Sequence, residues 1–333
     1  LRGQKIEGLE AEMQEQARSE FSSMGLSTKG HLQLPAMLME KQEQRGITVG
    51  GNGGNIVATE LNGFVGILRP DLVVERMGAT VLTGLVGDID MPEQSAKASG
   101  SWLAETGSAT ESNLDIAKRS ISPHRLGTFS KFSRQLLIQS TPSIEQLVRA
   151  DLANSIRENV EYGAIQGSGT NPVPFGVLNT TGIGSVALGT NGAAPSFASI
   201  IDLETQISNS NYTGQNMAYL TTPVMKGKLK QTQKFAGTNG MPVWDGNEMN
   251  GYPGYTTTQV PSTLTKGSNA DCHAILFGDF SQMMLAQWGG TDYIIDEYTL
   301  ADSGEIKIIV NSFWDIYLRY VKAFAAIKDA RNV

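Results

Sequence analysis

The sequence has few charged side chains for its length. Only 18% of its 333 residues are Asp, Glu, Lys or Arg, against about 25% in ordinary soluble domains. It also contains 37 glycines, which exceeds the usual share of about 7%. Because so few charges cannot cover a large water-exposed surface, we expect much of this surface to contact other subunits.

Cysteine, basic tracts and long apolar runs are also scarce. The single cysteine, Cys272, excludes an internal disulfide and fits a reducing compartment. A net charge of −7, without any basic tract, argues against a protein that neutralises phosphates by itself. No apolar run approaches the about 18 residues that span a bilayer, and no signal peptide opens the chain, so we expect no membrane partner. Leu1 is not an initiator methionine, which is compatible with a removed or missing preceding segment.

Residue types that carry chemistry are few. His31, His124 and His273 are too scattered to predict a metal site. Cys272 and His273 are adjacent, which suggests a nucleophile and its base. Neighbours in a strand point to opposite faces, however, so a buried thiol is the favoured interpretation.

Two small charged groups have more than one interpretation. Asp88 and Asp90 share a strand face and could form a weak cation site, but a solvated strand end before Pro92 is favoured. The lysines of a short predicted helix indicate a basic patch that touches nucleic acid, faces solvent or meets acidic neighbours; they are Lys226, Lys228 and Lys230. We predict no catalytic residue, no cofactor and no metal.

One long helix is predicted from about residue 141 to 167. Thr141 before Pro142, or Ser143 with Gln146, supplies the N-cap, and the glycines from Gly167 end the helix. At 1.5 Å per residue it is about 35 Å long. Glu145 and Arg149 are spaced to form an ion pair. Apolar residues recur every four positions and form a slowly winding stripe, which is typical of a helix that crosses several elements: Ile144, Val148, Leu152, Ile156, Val160 and Ala164.

The first fifth of the chain predicts an arm whose order depends on a partner. Residues 1–21 show a loose helical pattern that would be marginal alone. The tract GGNGGN at 50–55 has no following Lys-Ser or Lys-Thr, so it indicates a flexible linker rather than a phosphate cradle.

Residues 86–128 predict a long two-stranded hairpin, with Pro92 and Pro123 as breakers. Arms of about 20 residues could reach about 60 Å, whereas a compact chain of this length has a radius of gyration of only about 20 Å. An isolated hairpin is not stable in water, so a neighbouring molecule would supply the missing contacts.

A separate α/β lobe is predicted between residues 195 and 288. It contains a helix that begins at Ser196, a strand at 217–221, a basic helix at 223–230 and a strand at 274–280. The final strands, at 306–310 and 316–327, are expected to return to the sheet beside the long helix, and a β-prone run lies at 80–85.

Five stretches, taken in order, carry a resemblance to a known family. They are WLAETGSATES at 102–112, SRQLLIQS at 133–140, IQGSGTNPVPFGVLNTTG at 165–182, NGYPGY at 250–255 and ILFGDFSQMML at 275–285. With this order and spacing, residues 60–327 resemble the major capsid proteins of tailed bacteriophages, the Hong Kong 97 fold that encapsulin shells share.

The resemblance implies an α+β fold and names for its parts. Residues 1–60 would be the N-terminal arm, and 61–194 with 289–333 the peripheral domain. The latter would include an extended loop at about 86–128, which lies over the next subunit through Trp102, Leu103 and Glu105, and a spine helix at about 141–167. Residues 195–288 would be the axial domain, which surrounds the five-fold and six-fold axes in this family.

The resemblance also implies the function. The chain would self-assemble into pentamers and hexamers of an icosahedral head that encloses double-stranded DNA without sequence specificity. Assembly would occur in the host cytoplasm, with portal, scaffolding or protease components and a decoration protein as further partners, and the product would be the virion. One relative cross-links its shell through a loop lysine, but here Lys97 and Lys118 only flank the loop. The alternatives are an encapsulin-type compartment and a soluble hydrolase built on Cys272 and His273.

Overall fold

The computed structural model describes residues 32–34, 72–103, 105–108, 111, 113, 115–139, 144–214, 216–235, 237 and 240–333. The predicted helical pattern at 1–21, the linker at 50–55 and the two N-cap candidates Thr141 and Ser143 lie outside these residues.

The described chain combines helices with β-sheets. The helices are α1 Val73–Arg76, α2 Arg134–Gln139, α3 Ile144–Gln166, α4 Phe197–Ser208 and α5 Pro223–Gln231. Short 3₁₀ helices occur at Val177–Asn179, Phe280–Gln282 and Val321–Ala323. The strands are β1 Leu32–Leu34, β2 Thr80–Leu82, β3 Ile89–Ala96, β4 Asp115–Ile121, β5 His124–Ser133, β6 Gly184–Val186, β7 Met217–Thr221, β8 Trp244–Asp245, β9 Glu248–Met249, β10 Tyr252–Thr256, β11 Leu264–Lys266, β12 Asn269–Asp279, β13 Met283–Asp296, β14 Glu305–Leu318 and β15 Phe324–Ala330.

The strands form two large sheets and one small one. The first sheet has the order β1-β13-β14-β5, and β2 adds to β13 in parallel. The second has the order β6-β15-β12-β7-β10-β9-β8, with β11 paired to β12. Strands β3 and β4 form a separate two-stranded sheet, which is the hairpin described below.

Helix α3 lies on one face of the first sheet. The structure has this helix at Ile144–Gln166, where the four-residue spacing predicts it. Its apolar stripe packs into one core with residues of β14 such as Ile308 and Ile316. The helix ends where the Gly167 N–H binds the Gly163 carbonyl at 3.0 Å. A Cβ at Gly167 would lie 2.3 Å from the Pro174 oxygen, so only glycine fits here.

The second sheet carries α4 and α5 on one face. Ser196 caps α4 by accepting a hydrogen bond from the Ser199 N–H at 3.3 Å, which confirms the predicted helix start. Strand β7 is buried at every position, as a strand between two layers should be. Tyr219 stacks on Phe277 with ring centroids 4.2 Å apart, in a core that includes Leu203.

The prediction of one final strand at 316–327 is wrong. Strand β14 ends at Leu318, Val321–Ala323 forms a 3₁₀ turn, and β15 then pairs with β12 and β6 in the second sheet. The exposed pair Arg319 and Tyr320 marks the turn. Only β14, not β15, therefore joins the sheet beside the long helix. Strand β13 already begins at Met283, so the predicted domain boundary at 288 falls inside a strand of the first sheet.

The predicted two-stranded hairpin is present, but its strands are shorter than predicted. Its strands β3 and β4 have 8 and 7 residues, which is shorter than the predicted arms. Residues 124–128 already belong to β5, in the first sheet. Pro92 lies within β3, opposite Lys118, instead of ending the strand. This is tolerated because a two-stranded ladder leaves one edge of each strand without a partner.

Candidate assembly surfaces

The hairpin is held together by charged pairs as well as by its backbone ladder. Its register runs from Ile89 opposite Ile121 to Ala96 opposite Asp115. Asp90 accepts hydrogen bonds from Lys118 at 2.8 Å and from Ser120. The hydrogen bond from Lys118 is the main reason that the pKa of Asp90 lies below its ordinary value. Pairs this exposed contribute little to the stability of the fold.

The base of the hairpin packs on the first sheet, on the face opposite α3. Ile121 is buried in a cluster with Met284 and Tyr317, and Met91 packs against it. Alternate residues of a strand point to opposite faces. Met284 and Tyr317 therefore face the hairpin, whereas their neighbours Leu285 and Leu318 belong to the core with α3.

The tip of the hairpin lies between Ala96 and Asp115, where the paired strands end; the structure describes its residues 97–103, 105–108, 111 and 113. The Trp102 side chain is fully exposed at 104% relative accessibility, and Leu103 is 49% exposed. Glu105 is also exposed. An exposed tryptophan next to a leucine marks an interaction surface, because burying a large aromatic side chain is strongly favourable. Placing these three residues in a subunit interface stays a prediction.

The residues predicted for the helix stripe lie together and away from the tip. Leu152, Ile156 and Val160 are buried, and Ile144 and Val148 pack partly buried against the same core. Glu145 and Arg149 form the expected ion pair at 2.5 Å. The stripe therefore holds the subunit together, whereas Trp102 and Leu103 at the tip stay exposed.

Sequence reasoning missed a second group of exposed apolar side chains. Helix α2 has no buried residue, although Leu136, Leu137 and Ile138 follow one another in it, and Ile138 is 84% exposed. Three consecutive apolar residues cannot all face one core in a helix, and this signal was available in the sequence. Phe235, on the loop after α5, is also 72% exposed.

The adjacent Cys272 and His273 do not have the environment of a catalytic pair. Cys272 is fully buried, and burial raises the pKa of its thiol above the ordinary value. His273 lies with its Nδ1 3.0 Å from the Thr222 hydroxyl, and burial lowers its pKa. A buried, protonated thiol is a poor nucleophile. The geometry opposes the hydrolase alternative.

We expect Cys272 in the folded protein to react with iodoacetamide orders of magnitude more slowly than in the urea-unfolded chain. The reagent reaches a buried thiol only through local unfolding. Mass spectrometry of timed samples measures the rate, and a Glu105→Cys variant provides an exposed thiol as the control. Labelling of both thiols at the same rate would contradict the buried position.

Asp90, one of the two carboxylates considered for a weak cation site, is paired within the chain. Its bond to Lys118, described above, disfavours that site. Within the described residues no cluster of three His, Cys, Asp or Glu side chains has the geometry to hold a metal ion; His31 lies outside them.

The prediction of one basic patch on α5 is wrong. Lys226 lies with its ammonium 5.1 Å from the centre of the Trp244 ring, whereas Lys228 donates to the main-chain oxygen of Val333. Two residues that are two positions apart in a helix are separated by a rotation of about 200° around its axis, so they lie on nearly opposite sides. Lys228 therefore lies on a different face from Lys226 and Lys230.

A carboxylate fixes the point where the hairpin joins the first sheet. Only Ser122 and Pro123 separate β4 from β5. Asp315 of β14 accepts the Ser122 N–H at 3.1 Å and lies 3.9 Å from the His124 Nε2. Burial raises the pKa of Asp315. The hairpin thus leaves the body through a short joint whose backbone is bound to the sheet.

Comparison with known proteins places the chain among phage proteins. A model described as the phage capsid family matches residues 53–329. A curated major capsid protein of Halomonas phage phiHAP-1 is 32% identical over 297 residues, which are 88% of this chain and 46% of that protein. The chain therefore spans about half the length of this curated relative.

Solved structures agree on the fold. The capsid of a native GTA particle has a TM-score of 0.63 at 19% identity, covering 82% of this chain and 97% of that chain. The capsid of Myoviridae phage XM1 has a TM-score of 0.59 at 14% identity, covering 83% and 99%. These likenesses confirm the Hong Kong 97-type α+β fold.

None of the helices in the described part of the chain combines the length and apolar character that a membrane crossing requires. The family model, which matches residues 53–329, shows that the chain belongs to the phage capsid family.

Proposed function

We propose that this chain is the shell-forming part of a major capsid protein, whose copies assemble into the pentamers and hexamers of an icosahedral head. The observation that carries the proposal is the hairpin tip. Its Trp102 side chain is fully exposed, and an isolated hairpin is not stable without further packing. Laying the tip on a neighbouring copy supplies that packing, and repeating the contact around a closed shell adds many modest interactions.

The proposed domains correspond to the two large sheets of the chain. The first sheet with α3 forms the peripheral domain, residues 61–194 and 289–333, and α3 is its rigid spine. The lobe at 195–288 forms the axial domain around the symmetry axes. The buried cluster between α4, α5 and one face of the second sheet supports this assignment. The assignment needs one adjustment, because β15 completes the axial sheet although it lies at 324–330.

The acidic character of the chain suits a shell that is filled after it forms. With a net charge of −7, assembly does not rely on neutralising DNA phosphates, so double-stranded DNA enters later and without sequence specificity. Assembly takes place in the host cytoplasm with portal and scaffolding or protease components, and a decoration protein adds to the finished head. The virion is the final location.

Negative-stain electron microscopy of the purified chain tests this proposal. We expect closed shells or rings with five or six subunits in samples that elute as large species from a size-exclusion column. A protein that stays monomeric at high concentration would contradict the proposal.

The content of the particles separates two kinds of shell. Nuclease-resistant double-stranded DNA in particles purified from infected cells is expected for a phage head. Particles that hold a cargo enzyme and no DNA would instead support an encapsulin-type compartment.

A further inference from the structure

Three lysines recur at every fourth position along α5 and the loop that follows it. Lys226 and Lys230 lie on α5, so they are separated by about 40° around the helix axis and by about 6 Å along it. Lys234 follows after the helix has ended. Lys230 is exposed, and the other two are partly exposed. We name these three side chains the lysine row, which differs from the patch predicted from the sequence because it includes Lys234 and omits Lys228.

The loop after α5 returns Lys234 to the region of Lys226. The backbone of residues 232–234 pairs with that of residues 241–243, through hydrogen bonds of 2.8 Å at both ends. Residues 241–243 lead directly into Trp244, and Lys226 lies over the ring of this tryptophan. The three ammonium groups therefore belong to one region of the lobe surface.

Aromatic rings orient two of the three ammonium groups. The Lys226 Nζ lies 5.1 Å from the centre of the Trp244 ring, and the Lys234 Nζ lies 5.8 Å from the centre of the Phe197 ring. An ammonium group near an aromatic face is attracted by the negative charge of that face. Phe235 packs edge-on against Phe197, with ring centroids 5.6 Å apart. These contacts position the lysines and leave their positive charge in place.

Carboxylates do not neutralise the lysine row. None of its three ammonium groups forms an ion pair with an Asp or Glu of the described residues, whereas Lys118 and Arg331 each bind a carboxylate. Asp245 directly follows Trp244 in β8 and is exposed. Neighbours in a strand point to opposite faces, so Asp245 points away from the ring beneath Lys226. The charge of the row is therefore available to an anion from outside the subunit.

The chemistry of the lysine row suits a polymer of phosphates. Double-stranded DNA carries one negative charge per about 1.7 Å of its axis, so even the about 6 Å between Lys226 and Lys230 along α5 faces several phosphates. An ammonium group is a compact point charge, which attracts phosphate oxygens without the fixed geometry of a guanidinium. Contacts to phosphates carry no information about the base sequence.

We infer that the lysine row binds the phosphate backbone of double-stranded DNA without sequence preference. The inference rests on the proposed function only in naming the packaged genome as that DNA. Three lysines give a weak contact for each copy, and the many copies of a shell add such contacts together. A contact of this strength is compatible with the net charge of −7, because the shell forms before DNA enters and the duplex is then held close to its wall.

Fluorescence anisotropy with a labelled DNA duplex of mixed sequence tests the inference. The purified chain is titrated at several salt concentrations, and circular dichroism checks that each variant is folded. The row variant replaces its three lysines by glutamine. The matched control changes the net charge by the same amount at exposed lysines elsewhere; it carries Lys97→Gln, Lys266→Gln and Lys322→Gln. If the row variant does not fold, the three single variants provide the same measurement.

The salt dependence of binding gives the expected result. We expect the slope of the logarithm of the binding constant against the logarithm of the salt concentration to shrink by about 0.9 for each lysine of the row that is replaced. At low salt the row variant should bind the duplex at least about tenfold more weakly than the parent, and the control should stay within about twofold of it.

Other outcomes overturn the inference or the proposed function separately. A parent that does not bind the duplex, unchanged binding by the row variant, or equal losses in the row variant and the control would overturn the inference. Tighter binding of single strands that Phe235→Ser abolishes would do the same, because it would assign the surface to unpaired bases. If the parent binds the duplex but forms no shells in negative-stain microscopy, the proposed function fails and the lysine row remains a DNA-binding surface.

Discussion

Replacing Leu152 by aspartate is expected to abolish folding of the chain. Leu152 lies near the middle of α3 and is 4% exposed, within the core between the helix and the first sheet. Deleting a buried leucine side chain costs about 2–5 kcal/mol, and an unpaired buried carboxylate adds several more. Total stabilities of domains are about 5–15 kcal/mol. We therefore expect insoluble protein, or a soluble chain without cooperative thermal unfolding.

The neighbouring position supplies the matched control. Asn154→Asp adds the same carboxylate to the same helix, but Asn154 is exposed. It lies two positions away and points about 200° from Leu152. We expect this variant to fold and unfold within about 0.5 kcal/mol of the parent, as surface substitutions usually do. Circular dichroism during heating measures both variants. A soluble, assembly-competent Leu152→Asp protein would show that the stripe does not face the core.

Elements specified by local pattern were predictable from the sequence. Helix α3 follows from apolar residues at every fourth position, and α4 begins where Ser196 can cap it. Strand β7 coincides with the predicted run Met217–Thr221. In each of these elements the residues that determine the structure are within one or two turns of each other, so their pattern is visible without the rest of the chain.

Features that depend on distant pairing were not predictable. The sequence at 316–327 contains no glycine or proline where the chain turns between β14 and β15. No local signal therefore shows that β15 pairs in the second sheet. The extent of the hairpin depends on β14, because residues 124–133 pair with it and not with β3. The exposed tip could be predicted from the sequence because Trp102 lies in a segment that is too polar to form a core.

Deleting the hairpin tip, residues 94–108, is expected to leave a folded subunit that cannot form stable shells. The five register pairs from Ile89 to Glu93 remain in this variant, so the base keeps its packing through Ile121. No buried side chain of the described residues lies within the deleted segment. We therefore expect a thermal midpoint close to that of the parent. Assembly is expected to fail because each copy loses the apolar side chains that would cover its neighbour.

A variant of unchanged length separates the contact from the length of the loop. Replacing Trp102 and Leu103 by serine keeps the hairpin but removes its two exposed apolar side chains. We expect this variant to require at least about tenfold more protein for assembly than the parent, because burying a tryptophan and a leucine at each contact contributes more than 1.4 kcal/mol. Light scattering against concentration measures the threshold. Particles of normal yield from the deletion would refute a role of the tip in assembly. If only the serine variant formed normal particles, the contact would be assigned to the rest of the tip, including Glu105, because the tip would then hold its neighbour without these two apolar side chains.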